Sequence, residues 1–139
     1  MARAFHLTLP WPPAILSPNA RAHWAEKARA AKKYRRDACY MAQAMGCRAL
    51  SAPRLTVEIT FHPPDARRRD TDNMLASIKA GLDGIADATG VDDCNWHIGL
   101  ARGEPVKGGK VVVTLMPAEK DNWQSIGDLA AGMVKGSVS

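Results

Sequence analysis

Four aspartates fall in two short clusters, Arg69-Asp70-Thr71-Asp72-Asn73 and Val91-Asp92-Asp93-Cys94, and the stretch between them carries Lys79 and Asp83. Oxygen-rich clusters of this kind suit a hard divalent cation, because Mg²⁺ takes one or two carboxylates and completes its shell with water and substrate phosphate. A cation held next to a phosphodiester can activate water and offset the charge that builds on the phosphoryl oxygens. Asp70, Asp72, Asp92 and Asp93 are therefore the candidate metal ligands, and Lys79 is the candidate for the remaining positive charge.

The setting of these acids is the second clue. Seven of the fourteen acidic residues lie between Asp65 and Asp93, although the chain has a net charge of +5. Base surrounds them: Arg67, Arg68 and Arg69 stand directly before the first cluster, and Arg29, Lys32, Lys33 and Arg36 share one side of an earlier segment. A basic surface around gathered carboxylates is what metal-dependent cleavage of a nucleic-acid backbone requires, since the base holds the polyanion and the acid holds the cation.

Taken singly, each residue also has an ordinary structural role. Asp72 can sit at a helix N-terminus, Lys79 and Asp83 can form an i,i+4 surface pair worth about 0.3 kcal/mol, and Asp92-Asp93 can make a turn. It is their combination with the triple arginine and the basic segment that favours the metal site.

The elements that would position these groups follow from periodicity. Phe5 to Leu9 alternates as a strand and is stopped by Pro10, Pro12 and Pro13. From Ala20 to about Met45, with Asn19 as N-cap, Trp24, Ala28, Ala31, Ala38, Ala42 and Met45 recur at helical spacing and predict an amphipathic helix with a basic outer face. A second strand spans Leu55 to Phe61. A second helix runs from Asn73 to about Thr89, with Leu75, Ile78, Leu82, Ile85 and Thr89 inward and Gly90 as its stop. On that helix Asp72, Lys79 and Asp83 fall within about 40° of one another. Asp92-Asp93 opens a third strand through Trp96, Ile98 and Leu100, and Val111 to Met116 forms a fourth. The last two strands read as an antiparallel hairpin whose turn carries Lys107, Gly108, Gly109 and Lys110. If the third strand lies beside the second, its start comes near Asp70 and Asp72.

The whole is expected to be α+β, a small mixed or antiparallel sheet of about four strands packed with two main helices. Length and 46% apolar content suit one domain over 1–117, followed by a tail, 118–139, in which Trp123, Ile126, Leu129 and Val134 suggest a short helix. Cys39, Cys47 and Cys94 show neither a disulfide framework nor a zinc pattern, and the histidines at 6, 23, 62 and 97 show no ligand-like pairing. Gly108-Gly109-Lys110 lacks the spacing of a phosphate-binding loop. Trp24 and Trp96 stand at core-type positions. The chain offers no membrane span and no leader-like apolar run, so the expectation is a soluble, intracellular protein.

The order Leu9-Pro10-Trp11-Pro12-Pro13, Arg68-Arg69-Asp70-Thr71-Asp72-Asn73, Lys79 with Asp83, Asp92-Asp93 and Lys107-Gly108-Gly109-Lys110 before a final strand resembles the RusA family of phage and prophage Holliday-junction resolvases. The resemblance runs from about residue 5 to Met116. It implies an endonuclease dependent on Mg²⁺ or Mn²⁺, acting as a homodimer that places paired symmetric nicks in four-way DNA during recombination and repair, in the cytoplasm of a bacterial host. It implies Asp70, Asp72 and Asp93 as catalytic acids and Lys79 as the catalytic lysine. The family's lysine stands four residues after the second aspartate, where this chain has Ala76; Lys79 is on the same stripe, about 4.5 Å further along the axis. Arg67, Arg68, Arg69, Arg29, Lys32, Lys33, Arg36, Lys107 and Lys110 would grip DNA phosphates. The competing expectation is a non-catalytic DNA-binding accessory protein whose acids only cap and repel.

Overall fold

The computed structural model describes residues 4–118. The expected tail helix therefore lies outside the described residues, apart from Ala118, which closes the last strand.

Strand β1 (Phe5–Pro10) buries Phe5, Leu7 and Leu9 and exposes His6, Thr8 and Pro10. A 3₁₀ turn, Ala14–Leu16, follows the proline segment. Helix α1 (Trp24–Ala44) begins later than expected, because its N-cap is His23, whose Nδ1 accepts from the Ala25 N–H at 3.2 Å, and not Asn19. Its buried side is Tyr34, Ala38 and Ala42, while Trp24 is 75% and Met45 50% exposed, and Ala28 is exposed too. Length explains the exposure of Trp24 and Ala28: twenty-one residues span about 31 Å, whereas the partner helix α3 (Lys79–Thr89) spans about 16 Å, so the first turns of α1, which bury no residue, extend past it.

Strand β2 (Arg54–His62) is central and buries Leu55, Val57, Ile59 and Phe61. The single helix expected over Asn73 to Thr89 is in fact two, α2 (Thr71–Ser77) and α3, joined at buried Ile78, where φ −100° and ψ 4° leave the helical region. Ser77 Oγ donates to the Asn73 carbonyl at 2.8 Å, a back-bond of the kind that bends helices. Gly90, at φ 76°, ends α3 as expected.

The sheet has the order β1-β4-β2-β3. Strand β3 (Trp96–Arg102) runs parallel to β2, with Leu55 beside Trp96 and Phe61 beside Arg102. Strand β4 (Lys110–Ala118) is antiparallel to both β1 and β2. The expected hairpin of the last two strands does not form. The helical crossover delivers β3 to one edge of β2, so the chain must pass the end of β2 before β4 can pair with its other edge. That passage is fastened by Gly103 N–H to Phe61 O at 2.8 Å and Val106 N–H to Pro63 O at 2.9 Å, and Gly108 and Gly109 turn it with positive φ.

The helices lie on the Leu55–Phe61 face of the sheet, and Ile78, Leu82 and Ile85 are buried in one core together with Val57, Val113 and Leu115. The result is a two-layer α+β fold with a mixed four-stranded sheet, as expected. Contact between α1 and α3 is close enough that a Cβ on Gly84 would lie 2.1 Å from the Arg35 carbonyl oxygen. Among the described residues no helix is long and apolar enough to cross a membrane.

Candidate active site and adjoining groove

Both β1 and β2 are antiparallel to β4, and β3 is parallel to β2, so β1, β2 and β3 all point the same way. Their carboxyl ends bring three segments to one end of the sheet: the prolines after β1, the loop 63–69 after β2, and Arg102 with the crossing loop after β3. This topology builds the site.

Asp65 organises the second segment. Its carboxylate accepts from the Arg67 N–H at 3.0 Å, from Arg67 Nη2 at 3.2 Å and from Arg69 Nη1 at 2.8 Å. The Arg69 hydrogen bond, reinforced by the Arg67 N–H, holds the Asp65 carboxyl down at about 2. Arg69 is 18% exposed at its side chain, and its guanidinium stands 5.6 Å over the Trp11 ring, which meets Phe61 edge-on at 6.4 Å. From the end of β3, Arg102 donates to the Arg69 carbonyl oxygen and, at 2.8 Å, to Thr71 Oγ1. The approach to α2 is thus fixed on both sides. Sequence reasoning missed Trp11, Asp65 and Arg102 as site-forming residues. The Asp65-x-Arg67-x-Arg69 spacing was the readable signal, whereas nothing local marked Arg102.

Asp70 is the residue before α2, and Asp72 stands in its first turn. Asp70 makes no side-chain capping bond, and among the described residues neither carboxylate accepts a hydrogen bond or forms an ion pair. The two acids are exposed and uncommitted. The later pair is different. Asp92 caps the 3₁₀ turn Asp93–Asn95 by accepting from the Cys94 N–H at 3.0 Å, which lowers its pKa. Asp93 Oδ2 accepts from Lys79 Nζ at 2.7 Å, and the same ammonium donates to Asp83 Oδ1 at 2.7 Å. These bonds, that to Asp83 foremost, raise the Lys79 pKa.

The structure therefore places the candidate ligands in two groups. Strand β3 does pair beside β2, but in parallel, so its first residue lies at the Leu55 end, away from the loop to Asp70. Asp72 and Lys79 are separated by seven residues, about 10 Å of helical rise, across the joint at Ile78. Among the described residues no three His, Cys, Asp or Glu side chains converge as a set able to hold a metal ion. By donor type, Asp70 and Asp72 fit the one or two carboxylates that Mg²⁺ accepts beside water and phosphate. A three-carboxylate set including Asp93 is not assembled in this arrangement, since an ammonium occupies the Asp93 oxygen.

Of the expected phosphate contacts, Arg67 and Arg69 are partnered by Asp65, and Lys33 and Arg36 lie 2.7 Å and 3.9 Å from Asp37. Arg29, Lys32, Arg68 and Lys107 are exposed and form no ion pair among the described residues. Lys110 is half-buried as the first residue of β4. Arg67, Arg68, Arg69 and Asp70 line an open groove of about 840 Å³, walled by the Trp11-Pro12-Pro13 segment on one side and α2 on the other.

No family model matches the chain. An uncharacterized protein of Xylella fastidiosa (strain Temecula1 / ATCC 700964) is 46% identical over 113 residues, covering 78% of this chain and 74% of that one. The two chains belong to one family, whose activity the relative's description leaves open. The chain is also similar, at 25% identity over 123 residues, to the crossover junction endodeoxyribonuclease rusA of Enterobacteria phage HK97, covering 83% of this chain and 96% of the phage protein.

Proposed function

We propose that the chain is a RusA-like, Mg²⁺-dependent endonuclease that binds four-way DNA and nicks it. The observation that carries this reading is the pair of uncommitted carboxylates, Asp70 and Asp72, beside a groove lined by three arginines. The distant similarity to the phage endonuclease over most of both chains supports it. Asp70 and Asp72 would hold the cation, which when bound supplies a polarised phosphate and an activated water. Arg68, together with exposed Arg29 and Lys32, would draw in backbone phosphates, a contact that fixes register without reading sequence. Lys79 would add positive charge where the transition state develops negative charge. A homodimer is the economical way to set two such sites across a two-fold symmetric junction.

A second reading is favoured by one specific observation, the ammonium of Lys79 on the Asp93 oxygen. If that pairing persists with DNA bound, the chain is a DNA-binding accessory protein without catalysis. Cleavage of a synthetic four-way junction, against linear duplex and with and without Mg²⁺, separates the two. Metal-dependent paired nicks in the junction alone are expected; tight binding with no cutting under any divalent cation would leave the accessory reading.

A further inference from the structure

The groove has features that backbone binding does not use. Its lining includes Asn19 and Asn73, and neither side-chain carboxamide is hydrogen-bonded to any described residue. Trp11, Met74 and Arg69 line the same groove, and the Arg69 guanidinium is already fixed by Asp65 and set over the Trp11 ring before any ligand arrives. Arg68 stands on the same groove, exposed and without a partner among the described residues. A flat, partly apolar surface, two free carboxamides and one free cation are the three things that recognise a nucleotide: a face for the base, paired donors and acceptors for its edge, and a charge for its phosphate.

We propose that this groove binds one unpaired nucleotide of branched DNA, with the base between Asn19 and Asn73 and the phosphate on Arg68. Its volume of about 840 Å³ lies within the roughly 300–1,000 Å³ of small-molecule sites, a size that suits a single nucleotide. A base can enter only once it has left the helical stack, and the exchange point of a branched molecule is where bases lose stacking partners at the least cost. Asp70 opens onto the same groove, so a nucleotide seated there has its phosphate next to the candidate metal ligand. The carboxamides are specificity-determining, because an amide can pair with two atoms of an adenine edge and a carboxylate cannot.

This assignment deepens the nuclease reading and rests on the chain acting on DNA, but its test does not use cleavage. Single-stranded pentanucleotides with 2-aminopurine, another base or an abasic position at the centre are titrated with the full-length protein in EDTA. The 2-aminopurine emission is expected to be quenched on binding, and the abasic pentamer to bind about five- to hundred-fold more weakly than its base-containing counterpart. The N19A/N73A double variant should lose that discrimination. Asn73→Asp, which keeps the shape, should shift the preference away from adenine, and Arg68→Gln should weaken all pentamers alike. Equal affinity for abasic and base-containing pentamers would overturn the assignment, and it is read on the parent protein, so it does not depend on the variants folding. Retained discrimination in a folded double variant would overturn it as well. A protein that discriminates here but cuts no junction in Mg²⁺ would remove the nuclease reading and leave the groove; one that cuts but ignores the base would do the reverse.

Discussion

Lys79 Nζ stands 2.7 Å from Asp93 Oδ2 and so ties the start of α3 to the turn that precedes β3, fourteen residues later. Both side chains are about half exposed, at 56% and 41%, so the pair contributes a few tenths of a kcal/mol to stability at most. A lysine whose folded pKa is raised gives its full contribution below the ordinary value near 10.5 and loses it as pH rises through the folded one. At neutral pH the link is intact.

Lys79→Ala is therefore expected to leave the melting temperature nearly unchanged. If Lys79 stabilises the transition state, the same variant should lower the single-turnover cleavage rate by roughly 10² at saturating Mg²⁺, with little change in junction affinity. Lys79→Arg can keep a surface ion pair, yet a planar guanidinium does not reproduce an ammonium in a tight site. Near-parental cutting by both variants would remove Lys79 from the mechanism and leave it as the link described above.

Asp70→Asn and Asp72→Asn are each expected to abolish cleavage while leaving junction binding unchanged or tighter. Each change removes a candidate ligand and one negative charge facing a polyanion, so any gain in affinity should shrink as salt rises. Gel-shift titrations at two salt concentrations, beside a cleavage assay, measure both effects. Binding lost in step with cutting would mark the two residues as structural.

The sequence made the α+β class, the four strands and the inward faces of β1, β2 and α3 legible, because a period of two or 3.6 follows directly from which side is buried. Trp96 at 7% exposure illustrates this. Trp24 fails the same test, since periodicity says which side of a helix is apolar and not how far the partner extends beneath it. Strand pairing was the other loss. Nothing local to Val111–Met116 distinguishes a hairpin with β3 from insertion between β1 and β2, which follows from β3 already occupying the far edge of β2. The acids were legible by type, yet their grouping depended on that parallel pairing and on the joint at Ile78, where a serine back-bond breaks the stripe joining Asp72 to Lys79. Asp65 and Arg102 gain their meaning only from tertiary contacts.

Asp65 is expected to titrate at about 2 in the folded protein, below the ordinary 3.8. A carboxyl whose folded pKa is depressed contributes stability above its unfolded value and loses it as pH falls through the folded one, so this contribution should fade between about pH 4 and 2. Side-chain carboxyl chemical shifts followed by NMR give the value directly. Asp65→Asn should abolish that titration and leave Arg69 a weaker, uncharged acceptor, seen as faster guanidinium exchange. An Asp65 titrating near 4 would mean that the arginines are not held.

Neutralising Lys32, Lys33 and Arg36 together should weaken junction binding and lower the salt slope by up to about three units if all three touch phosphate. Asp37 lies 2.7 Å from Lys33 and 3.9 Å from Arg36, so part of this charge is already offset and the change should fall short of that limit. An unchanged slope in a filter-binding series would place the outer face of α1 away from DNA.

Gly84→Ala tests the packing on which the site depends. A Cβ there would lie 2.1 Å from the Arg35 carbonyl oxygen and 3.0 Å from the Cys39 nitrogen, both backbone atoms of α1 that cannot rotate aside. Two effects oppose each other. Alanine favours a helix over glycine by about 1 kcal/mol, whereas overpacking a close helix contact costs about 1–3 kcal/mol and more when backbone must move. The clash should win, lowering the melting temperature by several degrees. It should also pry α1 from α3 and lengthen the Arg35–Asp87 pair, whose N–O distances are 2.7 and 2.9 Å. Gly81→Ala is the comparison. Its Cβ meets the Tyr34 ring at 2.8 Å, and that ring can shift only by straining its 2.7 Å bond to the Pro10 carbonyl, so a smaller loss is expected there. Thermal melts of the two variants order the effects, and a Gly84→Ala protein as stable as its parent would mean that α1 and α3 do not approach as closely as described.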